Sequence, residues 1–140
     1  MDGRSLAAVV VGGMLGTALR LGLDVAIPHG DRDFPVSTLL INAVGAFALG
    51  LLVARVWPTA APWLRAGLGA GLLGSFTTFS AFAVALVSLS AADEWMLAAA
   101  YLSATLVLGL GAAWAGLTVG RARRAPGPAG PAGSRDGGDA

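Results

Sequence analysis

The side chains able to do polar chemistry are few, and their types narrow that chemistry before any fold is considered. The chain has no cysteine, one histidine (His29), and nine arginines with no lysine against eight acids. Without thiols there is no disulfide, thiolate nucleophile or thiolate metal site, and one imidazole does not make a histidine metal centre. No nucleophile, base and stabiliser come together in the sequence, so an enzyme is the least favoured reading. What remains is a set of neutral groups inside long apolar runs. These are Asn42 in Thr38-Leu-Leu-Ile-Asn42, the cluster Gly74-Ser-Phe-Thr77-Thr78-Phe79-Ser80-Ala-Phe82, and Ser103 with Thr105. Amide and hydroxyl donors can stand in for water around an ion. Carboxylates are missing from the depth of every apolar run: Asp24 is near an end, and Asp93 and Glu94 form a connection. A proton-coupled pump usually needs a titratable group at mid-depth, so a neutral set suits passive passage better than proton exchange.

The elements that carry these groups follow from composition. Of 140 residues, 56% are hydrophobic and 12% charged, with mean hydropathy +0.74. A soluble domain carries about a quarter charged residues, so the solvent is the membrane, and four spans nearly exhaust the length. With a net charge of +1, no basic body suggests nucleic acid. Charge-free gaps separate Asp33 from Arg55, Arg65 from Asp93 and Glu94 from Arg121, each long enough to cross a bilayer. The first apolar run is interrupted by Arg20 and Asp24, one helical turn apart, which can pair or snorkel. As a signal peptide it has no convincing cleavage site, and further spans follow it. The expected spans are residues 6–27, 36–57, 64–90 and 95–120, making residues 1–120 one all-α membrane domain. Residues 121–140, rich in Arg, Pro and Gly, read as a disordered tail. Arginines near span ends favour the cytoplasmic side. Arg4, Arg55, Arg65, Arg121, Arg123 and Arg124 share one side against Arg20 and Arg32, six to two, which places both termini inside.

Glycines four apart, at Gly12 and Gly16, Gly67 and Gly71, and Gly116 and Gly120, allow close backbone approach between helices. Gly69-Ala-Gly71-Leu-Leu-Gly74 matches a dinucleotide-binding pattern, but an apolar span lacks the strand that pattern needs. In the third span, glycines, threonines and phenylalanines invite a break in mid-membrane. Two readings stand there: freed carbonyls bind a cation such as sodium, or a kinked helix bonds its hydroxyls to its own backbone. Asn42 likewise faces a pore or makes an interhelical hydrogen bond.

Three segments, in order, resemble the signatures of the Fluc (CrcB) fluoride channels. They are Gly12-Gly13-x-x-Gly16-x-x-x-Arg20, then Thr38-Leu-x-x-Asn42-x-x-Gly45-x-Phe47-x-x-Gly50, then Gly74-Ser-Phe-Thr77-Thr78-Phe79-Ser80-x-Phe82. The resemblance covers about Leu6 to Gly120, and its third segment is highly specific. It implies a dimer of four-span subunits inserted in opposite orientations in the cell membrane, a homodimer being the favoured form, with two fluoride pathways at the interface and a central structural sodium ion. By the same resemblance, backbone carbonyls of Gly74 and Thr77 hold the sodium. Asn42, Phe79 and Phe82 match pore positions, and Arg20 matches an arginine near the entrance. Thr105 matches a hydroxyl-bearing pore position that is more usually serine, and the choice between Ser103 and Thr105 stays open. The implied role is passive export of cytoplasmic fluoride and hence fluoride resistance.

The six-to-two arginine count departs from the near balance that dual insertion requires, so pairing with an oppositely biased relative is the alternative to a homodimer. Two rival functions are weighed as well. A small four-span multidrug exporter depends on a glutamate in its first span, whereas the only glutamate here is Glu94 in a connection. A non-transporting scaffold explains the glycines but gives Asn42 and the Thr77-to-Phe82 cluster no purpose.

Overall fold

The computed structural model describes residues 2–27 and 33–122, all helical or connecting, with no strand among them. Helix α1 (Gly3–Ala26) starts where the Asp2 carboxylate accepts the Ser5 N–H at 3.1 Å, satisfying one of the donors that a helix start leaves free. Helix α2 (Val36–Arg55) follows Pro35. The third span, Pro62–Ala91, is composite. It comprises α3 (Pro62–Ala66), a π-helical stretch Gly67–Leu73, the single turn α4 (Gly74–Phe76) and α5 (Phe79–Ala91). Proline at the first turn of α3 costs no hydrogen bond. Asp93, at φ 60°, turns the chain into α6 (Trp95–Ala122).

Among the described residues four helices are therefore long and apolar enough to cross a membrane, close to the expected 6–27, 36–57, 64–90 and 95–120. The last one continues through Arg121 and Ala122, two residues beyond the expected end. Arg32, Arg123, Arg124 and the rest of the expected tail lie outside the described residues. The π-helical stretch has no counterpart in the sequence reading. Gly74 N–H reaches back to the carbonyl of Gly69, five residues earlier, a wider turn that side-chain-free Gly67, Gly69 and Gly71 accommodate.

Glycine decides how the helices meet. A Cβ on Gly12 would strike the Gly67 carbonyl, and one on Gly16 would strike that of Leu72, so α1 lies directly on the first half of the third span. In the same way Gly50 faces the Ala113 carbonyl, Gly116 faces that of Phe47, and Gly120 faces Ala54, which clamps α2 to α6. The buried apolar set is small, with Ile41, Leu73, Phe76, Leu89 and Tyr101 at its centre. Met14, Val25, Val87, Met96, Leu110 and Trp114 point outward, a distribution suited to hydrocarbon and not to water.

These contacts separate two kinds of glycine. Gly116→Ala forces a methyl into backbone and is expected to cost about 1–3 kcal/mol. Gly22→Ala, with no atom within 4 Å of its Cβ, should be neutral or stabilising by up to about 1 kcal/mol through helix propensity. Thermal unfolding in detergent, followed by circular dichroism, checks this ordering.

Candidate functional site

Helical bonding stops at Phe76 and resumes at Phe79. Between them Thr77 (φ −79°, ψ 155°) and Thr78 (φ −145°, ψ 124°) are extended. Thr77 closes the preceding turn with both of its donors: its N–H and its Oγ1 reach the Leu73 carbonyl at 3.0 and 2.9 Å. Thr78 turns away from the helix ladder. Its N–H donates to Asn42 Oδ1 at 2.9 Å, and Asn42 Nδ2 donates to its carbonyl at 2.9 Å. One amide side chain thus satisfies both backbone groups of Thr78. The Thr78 hydroxyl then starts α5 by accepting the Ala81 N–H at 3.2 Å, and lies 3.1 Å from Ser80 Oγ. Gly45, three residues beyond Asn42 on α2, makes room: a Cβ there would strike the Thr77 methyl and come within 3.5 Å of the Phe76 ring.

The pairing has a second consequence. In a continuous helix the Thr78 N–H would bond the Gly74 carbonyl; here Asn42 takes it, and the Gly74 oxygen is released. Gly74 and Thr77 share a groove of about 360 Å³ with Asn42, Gly45 and Gly69. Among the described residues no cluster of three or more His, Cys, Asp or Glu side chains is placed to hold a metal, so oxygen donors there come from the backbone and from neutral side chains.

A second groove, about 320 Å³ and open rather than enclosed, is lined by Asn42, Thr77, Thr78, Phe79, Phe82 and Thr105 together with Leu106. No lining residue is titratable. Phe79 is 79% exposed at the groove. Its ring stands 5.7 Å from Phe82, which stands 5.5 Å from Tyr101, which meets Phe34 edge-on at 5.5 Å. Tyr101 is fully buried and anchors this aromatic row from α6. Its hydroxyl lies near Thr38 and Thr105 without a hydrogen bond of good geometry, and the Thr105 Oγ1 is likewise buried without a partner.

The fold therefore brings Asn42, Phe79, Phe82 and Thr105 to one groove. Ser103 is not among its lining residues: it is exposed and donates its hydroxyl to the Ala99 carbonyl at 2.8 Å. Arg20 sits half-buried on α1 outside the groove, with its Nε lacking a hydrogen-bond partner. Two residues that the sequence reading did not single out for the site belong to it. Thr78 supplies the backbone that Asn42 holds, and Tyr101, the only tyrosine of the chain, backs the phenylalanines. A lone hydroxylated ring inside an apolar span was the available signal for the latter.

Residues 7–117 match the family model described as CrcB-like protein, Camphor Resistance (CrcB). Over 113 residues the chain is 42% identical to a Paracoccus denitrificans protein named fluoride-specific ion channel FluC, covering 81% of this chain and 91% of that one. A Pseudomonas putida protein of the same name is 42% identical over 119 residues, covering 83% and 96%. Geobacillus kaustophilus has one named fluoride-specific ion channel FluC 2, 36% identical over 126 residues, covering 86% and 95%.

Removing the amide should loosen the interruption first. Asn42→Ala leaves the Thr78 N–H and carbonyl unpaired, at about 1–3 kcal/mol for each group. Hydrogen exchange at Thr78 and the residues just after it is expected to accelerate while that of α1 stays unchanged; equal protection in both proteins would contradict the assignment.

Proposed function

The chain belongs to the CrcB family, and from that membership we propose that it is a fluoride-selective channel, passively releasing fluoride from the cytoplasm and so conferring resistance to it. The observation that carries this reading is the groove itself, where Asn42, Thr105, Phe79 and Phe82 converge with no titratable group among them. Fluoride is small and strongly hydrated, so its pathway must replace water's donors without holding the ion too tightly to release it. Asn42 spends its oxygen and one N–H on Thr78, which leaves its second N–H for an anion. Pinning the amide in this way also fixes the direction of that donor. The Thr105 hydroxyl, on a residue that lines the groove and close to the Tyr101 hydroxyl, is a second donor. Phenylalanine rings present a positive edge, so Phe79 and Phe82 can flank an anion without a full charge. Neutral donors do not change with pH near neutrality, which suits a passive pathway. Arg20, a cation at the end of α1, is assigned to the entrance.

One chain leaves the groove open and the Phe79 ring exposed. A second subunit, inserted in the opposite orientation, is the partner that closes it within the cell membrane. We assign the Thr77–Thr78 interruption to mid-membrane, where the carbonyls of Gly74 and Thr77 are the groups to hold a structural sodium. The release of the Gly74 carbonyl from its helical partner fits a hard cation that takes oxygen ligands. When bound, the ion would supply positive charge and cross-link the two copies. The proposed assembly is a homodimer, with an oppositely biased relative as the alternative that the arginine count keeps open.

Fluoride and chloride release from proteoliposomes, read with ion-selective electrodes, tests the function. Fluoride should leave rapidly and chloride stay; equal release of both would sink the proposal. Thr105→Val removes a donor worth about 1–3 kcal/mol and should slow fluoride roughly fivefold or more. Phe79→Ile, removing a ring worth about 0.5–1.5 kcal/mol, should slow it several-fold. For the assembly, impermeant labels directed at tags on either terminus of intact cells are expected to reach about half of the chains. Labelling of all or none, in cells making only this protein, would rule out the antiparallel homodimer.

A further inference from the structure

The two ends of the described bundle carry opposite charge. Where α1 and α3 begin and α2 and α6 end stand Arg4, Arg55, Arg65 and Arg121 with one acid, Asp2. The other ends hold Asp24, Asp33, Asp93 and Glu94 with Arg20. Asp2 is engaged as the cap of α1: hydrogen bonds to Ser5 hold its carboxyl below the usual carboxylate range. On that basic end the Arg4 guanidinium lies over the Trp63 ring, 5.6 Å from its centroid. Arg65, two residues further along α3, is exposed and tethered through its Nε to the Ala60 carbonyl at 2.9 Å.

Trp63 is at the same time the rim of an apolar groove of about 200 Å³ between α1 and the π-helical stretch. Val11, Leu15, Leu68 and Leu72 wall it, over Gly12. The groove exists because the backbones of Gly12 and Gly67 touch: no side chain rises from the seam, while the larger residues on either side stand proud of it.

We propose that this groove seats one anionic phospholipid, its acyl chain between α1 and the π-helical stretch and its phosphate at Arg4, which lies over the Trp63 rim. Hydrocarbon below and guanidinium above match the two halves of such a lipid, and the Arg4 charge, on the basic end of the bundle, favours an anionic over a zwitterionic headgroup. Trp63 joins the halves by lining the groove and stacking under Arg4. None of these residues lines the Asn42 groove, so the site stands or falls independently of fluoride conduction.

The test uses the full chain in phosphatidylcholine vesicles containing 20 mol% phosphatidylglycerol, with either lipid brominated on its acyl chains in turn. Trp63 emission is isolated as the difference from Trp63→Phe. Brominated phosphatidylglycerol, at equal mole fraction, should quench Trp63 roughly fivefold more effectively than brominated phosphatidylcholine, the factor that one arginine at an anionic surface supplies. Arg4→Gln should remove most of that preference. Val11→Phe, which fills the groove from its exposed side, should lower quenching by both lipids without altering the circular dichroism spectrum. Equal quenching by both lipids, unchanged by Arg4→Gln, would overturn the headgroup assignment. Shielding of Trp63 from both lipids would overturn lipid occupancy and give the groove to a second copy.

Discussion

Backbone in hydrocarbon has no water to bond, so an interrupted helix leaves polar groups that cost several kcal/mol each unless protein satisfies them. In this chain the interruption at Thr77 and Thr78 is answered from the neighbouring helix, by the Asn42 amide bonding the Thr78 N–H and carbonyl at once. Much of the remaining architecture serves to keep that amide opposite that peptide. Glycine contacts clamp α2 to α6, which sets the height of Asn42, and Gly45 lets Thr77 approach α2. Thr77 and Thr78 use their own hydroxyls to finish one helical segment and start the next. An interruption held in this way needs no charged residue, which is why the interior can remain neutral.

The same pairing organises the chemistry on either side of it. Toward α5 and α6, the fixed amide lines the open groove together with Thr105 and the two phenylalanines. Toward the π-helical stretch, diversion of the Thr78 N–H frees the Gly74 carbonyl from the helix ladder. The groove lined by Asn42, Thr105 and the phenylalanines and the change in bonding at Gly74 thus both trace to one rearrangement of a few backbone bonds. This arrangement explains why a chain with so few chemically capable side chains concentrates them around residues 42 and 77–82.

Much of this was legible in the sequence because charge is scarce and well placed. The uncharged gaps from Asp33 to Arg55 and Arg65 to Asp93 locate α2 and the third span within a few residues, since a charge in hydrocarbon is costly wherever it falls. Asn42 was read two ways, as an interhelical bond or as a pore donor. The structure displays the bond, and the remaining N–H keeps room for the second role, so the alternatives were not exclusive. Other features depend on three-dimensional register and were not legible. The π-helical winding of Gly67–Leu73 reflects glycine packing against α1, which periodicity alone does not encode. Whether Ser103 or Thr105 meets the groove turns on rotation of α6, and the fold puts Thr105 there. The aromatic row through Tyr101 joins α5 and α6 to Phe34 ahead of α2, residues distant in sequence, so only the folded chain reveals it.

In the proposed assembly two copies of this chain, each with its interruption held by Asn42, wall a fluoride pathway that one copy leaves open. The most direct measurement is fluoride release from vesicles as the protein is diluted until many vesicles hold no active unit. If two chains make one unit, the fraction of vesicles that retain fluoride should fall with protein as Poisson statistics require for half as many units as chains, with chloride retained throughout. A retained fraction that counts each chain as a complete unit, or fluoride release accompanied by chloride, would contradict the account.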